Sequence, residues 1–254
     1  MSTDVPTVIL TGPAMVPLVR AAAALAAEDI PPFAVIGGVA VTVRLGKALR
    51  ATADLDAVTD QRYTPTALEI LRGREDATYD AADPHTITIS GAEVQFQDVE
   101  PVSDADVSHL DDKELLYVAG HAHALAAATP VRLLAADAQI EATVPVATTG
   151  ALLATKLHAY LDRRRVAGPD KRPGDLWDIY NLLLYVSGNA AADLAAGSPS
   201  LVRVVSTTLR EQLVVGAARA RSVLRLSNDE RYQAITAEEI AYAAVTFLGS
   251  LSDR

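Results

Sequence analysis

Asp54 and Asp56 are the residues whose type and spacing point most directly to chemistry. They flank Leu55 in ADLDAVTD (53–60), a stretch that alternates as a strand does. Alternate strand residues share a face, so both carboxylates project together. Two neighbouring acids repel each other, and partial burial makes that repulsion costly. No lysine within the strand is spaced to offset them. A hard divalent cation suits the pair: Mg²⁺, or Mn²⁺ in its place, prefers carboxylate oxygens and keeps waters that a phosphate can replace.

A short distance upstream, FAVI (33–36) reads as a buried strand that stops at Gly37-Gly38. Without Cβ atoms, backbone there can approach a ligand closely. The N–H groups of a following helix can hold phosphate oxygens. Strand, Gly-Gly, helix, basic turn and Asp-x-Asp strand thus build a phosphate cradle beside a metal platform, as a nucleoside triphosphate requires. Arg44, Lys47 and Arg50 lie between the two elements, available to phosphates. Taken singly, a Gly-Gly is most often a turn and an Asp-x-Asp a solvated strand end. Their order and spacing carry the reading.

The elements that must position these residues follow from pattern. Residues 14–29 read as a helix and 39–46 as a second, stopped by Gly46. TPTALEILRG (64–73) opens on Thr-Pro and closes on Gly, a helix signature. TITIS (86–90) and AEVQFQDV (92–99) alternate around Gly91 as a hairpin. Residues 101–114 read as an acidic loop and 138–148 as another strand. From Thr148 onward the pattern is helical, over 149–165, 175–187, 199–215 and 236–251, with RVAGPDKRPG (165–174) as a break. The expected fold is α+β: a mixed sheet flanked by helices over 1–147, then a helical bundle over 148–254.

Composition sets outer bounds. Of the 254 residues half are hydrophobic and only 5% aromatic, which suits a helix-rich folded chain. With no cysteine, disulfides, Cys-ligated zinc and thiol catalysis are excluded. Residues 5–27 are apolar but interrupted by Pro6, Gly12, Pro13, Pro17 and Arg20, so no membrane span or signal peptide is expected, and a cytoplasmic location is. The net charge of −10 is uneven: −12 over 1–150, +5 over 151–225 and −3 over 226–254. The chain as a whole is not a basic nucleic-acid binder, yet one segment is free to face a polyanion.

The run VIGGVAVTVRLGKALRATADLDAV resembles the signature of the nucleotidyltransferase superfamily, the fold shared with DNA polymerase β. Arg50-Ala51-Thr52-x-Asp54-x-Asp56 is similar to the AbiEii/AbiGii-type branch, many of whose members are toxins of toxin–antitoxin and phage-defence systems. That branch carries a second pattern, matched here in ATKLHAYLDRRRVAGPDKRPGDLWDIYNLLL (154–184) by Lys156-Leu157, by Arg163 or Arg164, and by Asp175-x-x-Asp178. Gly174 stands where the family has Lys or Arg, with Lys171 and Arg172 just upstream. Asp175 and Asp178 share a helix face, in a place where helix capping is an equally good use for an acid.

The resemblance implies that Asp54 and Asp56 hold metal as catalytic acids, and that Gly37, Gly38, Arg50, Lys156 and Asp178 serve the nucleotide. Lys156 and Asp175 would complete the catalytic set. It also implies a third carboxylate on a later strand: either Asp98, the expected choice, or a position that a glutamine has taken. The activity implied is transfer of a nucleoside monophosphate from a nucleoside triphosphate to an acceptor hydroxyl, with release of pyrophosphate. The expected acceptor is RNA, at a tRNA 3′ end, with a cognate antitoxin as partner. The alternatives are a protein or small-molecule acceptor such as an antibiotic, or a member that binds nucleotide without transferring it. His121 and His123 diverge on a helix and make a poor metal pair, His158 reads as a half-buried helix residue, and Trp177 and Tyr180 read as packing. No GxSxG, Walker A or dinucleotide fingerprint is present.

Overall fold

The computed structural model describes residues 5–81, 83–163 and 171–252. The chain divides into two compact units. The first runs through Pro101 and resumes over Ala124–Ala147; the second takes Val102–His123 and everything from Thr148 on. The helical change at 148 therefore coincides with entry into the second unit, but residues 102–123 also belong there.

The first unit is built on one eight-stranded mixed sheet. Its strands are β1 (Thr7–Leu10), β2 (Phe33–Ile36), β3 (Asp54–Asp60), β4 (Ala77–Tyr79), β5 (Thr86–Ile89), β6 (Ala92–Val99), β7 (Thr129–Ala135) and β8 (Ile140–Val146), in the order β1-β7-β8-β2-β3-β6-β5-β4. β3 is antiparallel to β2 and parallel to β6, so the Asp-x-Asp strand sits inside the sheet. The expected hairpin forms between β5 and β6. Ser90 and Gly91 both take positive φ (52° and 84°), as a tight two-residue hairpin turn requires.

Helix α1 (Met15–Ala27) buries Leu18, Val19, Ala21, Ala22 and Leu25 in packing on the sheet. Helix α2 (Gly37–Leu45) starts at Gly37 itself and ends, as the sequence suggests, with Gly46 in the left-handed region. Helix α3 (Ala67–Leu71) opens on a capping box between Thr66 and Glu69. β1, β4 and β7 are short or lack clean alternation, and the sequence reading does not include them.

The secondary structure of the second unit is helical among the described residues. It contains most of α4 (Asp112–Ala126), then α5 (Thr149–Asp162), α6 (Arg172–Tyr185), α7 (Ser187–Ala195), α8 (Pro199–Leu209), α9 (Ala217–Leu224), α10 (Glu230–Ala234) and α11 (Ala237–Ser252). The expected helix over 199–215 is α8 followed by a π-helical segment, Arg210–Val215. Helix α4 begins at Asp112, inside what reads as a loop from its acidic content. Tyr160, Leu152, Val204, Leu209 and Phe247 are among the fully buried side chains of its core.

Candidate active site

Register brings the two distant sequence signals of the first unit together. Ile36, the last residue of β2, pairs with Asp56 of β3. The chain then turns directly into α2, and Gly37 takes φ +70°. A Cβ built on Gly37 would lie 1.8 Å from the Asp56 Oδ2. Glycine is thus required twice over, by backbone conformation and because the Asp56 carboxylate occupies the side-chain space. A carboxylate at that point lies beside the N-terminal end of α2, where negative charge is favoured.

Gly38 is crowded by other groups. A Cβ there would come within 2.8 Å of both Arg50 Nη2 and Thr52 Oγ1. The Arg50 guanidinium therefore lies over the start of α2, with Nη1 also donating to the Ala51 carbonyl at 3.1 Å. The Thr52 hydroxyl donates to Asp54 Oδ1 at 3.1 Å. Thr52 joins the glycine turn to the first aspartate, a role the sequence reading did not assign although the residue stands inside the quoted motif. Asp54 and Asp56 are half-buried, and Leu55 and Ala57 between and beyond them are fully buried, so the carboxylates share one face of β3.

Of the other intervening cations, Arg44 does not point to the glycine turn. Its Nε donates to the Ala147 carbonyl and its Nη2 to Thr129 Oγ1, each at 2.7 Å, and Nη2 also donates to the Val146 carbonyl. It fastens the end of α2 to the ends of β7 and β8. Lys47 is exposed.

Asp98 is not placed as a third metal ligand. In the parallel β3–β6 ladder, Asp54 lies opposite Glu93, Asp56 opposite Gln95 and Thr59 opposite Asp98. Paired residues share a face, so Asp98 lies with Thr59, on the other face from Asp56 and about 10 Å further along the strand. Its carboxylate accepts from the Thr59 hydroxyl at 2.6 Å. The position beside Asp56 belongs to Gln95, the glutamine alternative, whose Nε2 donates to Glu93 Oε1 at 2.6 Å. Among the described residues no group of three or more His, Asp or Glu side chains is arranged to hold a metal ion.

In the second unit, the motif residues of α5 and α6 meet in a buried ion cluster. Lys156 Nζ lies 2.9 Å from Asp178 Oδ2 and 3.3 Å from Asp175 Oδ1, and Arg163 Nη1 binds Asp175 Oδ2. Lys156, Asp175 and Asp178 are 6%, 1% and 2% exposed. Two acids and two bases balance, which lets such a group stay buried. Capping does not explain the acids: α6 starts at Arg172, Asp178 lies beyond the first turn, and both carboxylates face Lys156. Lys171 and Arg172 begin α6, and Arg164 lies outside the described residues. Trp177 stacks on Tyr232 with ring centroids 4.5 Å apart, in agreement with a packing role.

The histidines are structural here too. His121 is buried, donates Nδ1–H to the Tyr117 carbonyl at 2.7 Å and packs against the Tyr117 and His158 rings. Desolvation pushes it down to about 4, against the bond to Tyr117, which favours the charged form. His123 instead lies 3.4 Å from Asp193.

A family model described as "Nucleotidyl transferase AbiEii toxin, Type IV TA system" matches residues 21–239. The chain belongs to this family of nucleotidyltransferases, as the Gly-Gly and Asp-x-Asp runs suggest. Among solved structures it is similar to an antigenic nucleotidyltransferase-like protein from Paracoccidioides brasiliensis, at 18% identity and a TM-score of 0.40, over 74% of this chain and 83% of that one. No curated protein sequence matches it. No helix among the described residues is long and apolar enough to cross a membrane.

Proposed function

We propose that this chain transfers a nucleoside monophosphate from a nucleoside triphosphate to a hydroxyl of RNA, at a tRNA 3′ end, as the toxin of a toxin–antitoxin pair with a cognate antitoxin. The observation that carries the reading is the fit of the Asp56 carboxylate against Gly37, with Arg50 and Thr52 over Gly38. One glycine turn thereby brings helix-start N–H groups, a guanidinium and the Asp-x-Asp pair into one place.

The donor set fits a hard divalent cation. Asp54 and Asp56 supply carboxylate oxygens from one face, Gln95 adds an amide beside Asp56, and Glu93 opposite Asp54 raises the negative charge that a cation would offset. Asp54 and Asp56 would hold Mg²⁺ or Mn²⁺, which when bound neutralises charge on the phosphates and on the leaving pyrophosphate. Thr52 fixes Asp54 through its hydroxyl. The Gly37-Gly38 backbone and Arg50 bind triphosphate oxygens and orient the α-phosphate for in-line attack, where positioning supplies most of the rate. Within the second unit, Lys156 is held as a fixed cation by Asp175 and Asp178.

Labelled nucleoside triphosphates incubated with total tRNA test the proposal. Label should enter RNA with the native protein and fall to background with Asp56→Asn. Transfer that survives Asp56→Asn in full removes the site as drawn. Gln95 in place of a third acid favours a second reading, nucleotide binding without transfer. Retained nucleotide binding with no labelled RNA, protein or small-molecule product would select it.

A further inference from the structure

The arginines from α8 to the end of α9 have no part in the site above. Between Pro199 and Ser227 the chain has five arginines, no lysine and a single acid, Glu211, within a protein of net charge −10. Arg203 pairs with Asp112 at 3.2 Å. Among the described residues, Arg210, Arg219, Arg221 and Arg225 make no ion pair and no hydrogen bond through their side chains. Arg210, Arg219 and Arg225 are exposed and Arg221 is half-buried.

The local structure keeps these charges on neighbouring elements; Arg221 and Arg225 share a side of α9, and Arg219, two residues from Arg221, lies round the helix from it. The π-helical segment from Arg210 to Val215 packs on both α8 and α9, so the arginines lie on consecutive, touching elements. Helix α9 turns Ala217, Ala220 and Leu224 inward, towards α6 and α11. Its exposed residues are Ala218, Arg219 and Ser222, with Arg225 just beyond its end. Arg221 and Arg225 are one helical turn apart, where like charges repel unless an anion lies between them.

We propose that the arginine band from Arg210 across α9 to Arg225 is the docking surface for the phosphate backbone of the RNA acceptor. The inference rests on the transferase reading for the identity of that RNA, but its evidence is separate. Guanidinium groups match phosphate oxygens in a planar, two-pronged geometry, and sequence-independent RNA binding is largely phosphate neutralisation. Val215 and Leu226 are exposed beside these arginines, and the charge match is what favours a polyanion: the guanidinium groups are without protein partners among the described residues, while phosphate oxygens suit them.

The test measures binding of the full chain to total tRNA across a salt series. Each phosphate contact contributes about 0.7–0.9 to the slope of log affinity against log salt. The triple variant Arg219→Gln/Arg221→Gln/Arg225→Gln should lower that slope by about 2 and weaken binding several-fold or more at low salt, with nucleoside triphosphate binding and thermal unfolding unchanged. The corresponding triple lysine variant should keep most of the slope. An unchanged slope in the glutamine variant overturns the proposal. So does a native chain that binds no tRNA, or one in which these arginines instead support self-association by sedimentation.

Failure of the transferase reading shows differently. Arginine-dependent tRNA binding without transfer to any acceptor leaves the docking surface standing and removes the activity. Transfer to a non-RNA acceptor without tRNA binding does the reverse.

Discussion

At the scale of single residues, Gly37 and Asp56 share one volume. A methyl group at residue 37 would meet Asp56 Oδ2 at 1.8 Å on a backbone with φ +70°. Gly37→Ala should therefore displace the carboxylate by about 1 Å and lower nucleotide transfer on the order of 100-fold. It should also destabilise the fold by about 1–2 kcal/mol through the positive φ. Single-turnover transfer alongside urea unfolding measures both. The parity of β6 gives a contrasting case. Asp98 faces Thr59 and not Asp56, so Asp98→Asn, which keeps an oxygen for the Thr59 hydroxyl, should leave transfer little changed. Gln95→Ala should reduce it, because Gln95 stands directly beside Asp56. If Asp98→Asn abolished transfer while Gln95→Ala did nothing, the face assignment from register would be wrong.

At the scale of elements, the start of α5 shows how a helix end can be completed from elsewhere in the chain. Thr148 is in the capping position but makes no side-chain bond to its own helix. Its hydroxyl donates instead to Asp193 of α7, which also accepts from the Ala151 N–H at 3.0 Å. Burial pushes the Asp193 carboxyl up, but His123 and the two donors outweigh it and hold the group below its usual value. Asp193→Ala should cost about 1–2 kcal/mol, seen as a lower urea midpoint with an unchanged m-value. That stability should be present above about pH 4 and be lost as pH falls through the depressed pKa.

This element also marks how far the sequence can be read. A helix from residue 149 follows from periodicity, and the order strand, Gly-Gly, helix, strand suggests that Asp54 and Asp56 lie beside Gly37-Gly38, while the Gly37–Asp56 contact itself is a matter of register. A capping acid 45 residues away does not follow, because nothing in local pattern encodes which helices touch. Asp98 against Gln95 is a question of register. One residue of parity moves a side chain to the opposite face, and AEVQFQDV alternates well enough to permit both assignments. The acids of α6 read equally well as caps, since their partner Lys156 lies on another helix across a break in the pattern.

For the molecule as a whole, two histidines, His121 buried and His158 half-buried, set how stability depends on pH. His121 is held at about 4 by desolvation, and desolvation also lowers His158. The unfolded chain, with histidines near 6.5, takes up protons over a range where the folded chain does not. Stability is then complete above about pH 6.5 and falls as pH drops towards 4, because the unfolded state binds more protons there. The difference at His121 alone amounts to about 3 kcal/mol across that window, a large part of the stability of an ordinary domain. Carboxylates with depressed values, Asp193 among them, lose their contribution only below their usual 3.8, so the two effects occupy different ranges. Urea unfolding between pH 7 and pH 4.5 should show a steady loss in the native chain and a flatter profile in His121→Gln. An unchanged profile in that variant would mean that His121 does not carry the dependence, and that acid sensitivity in this range arises from some other group.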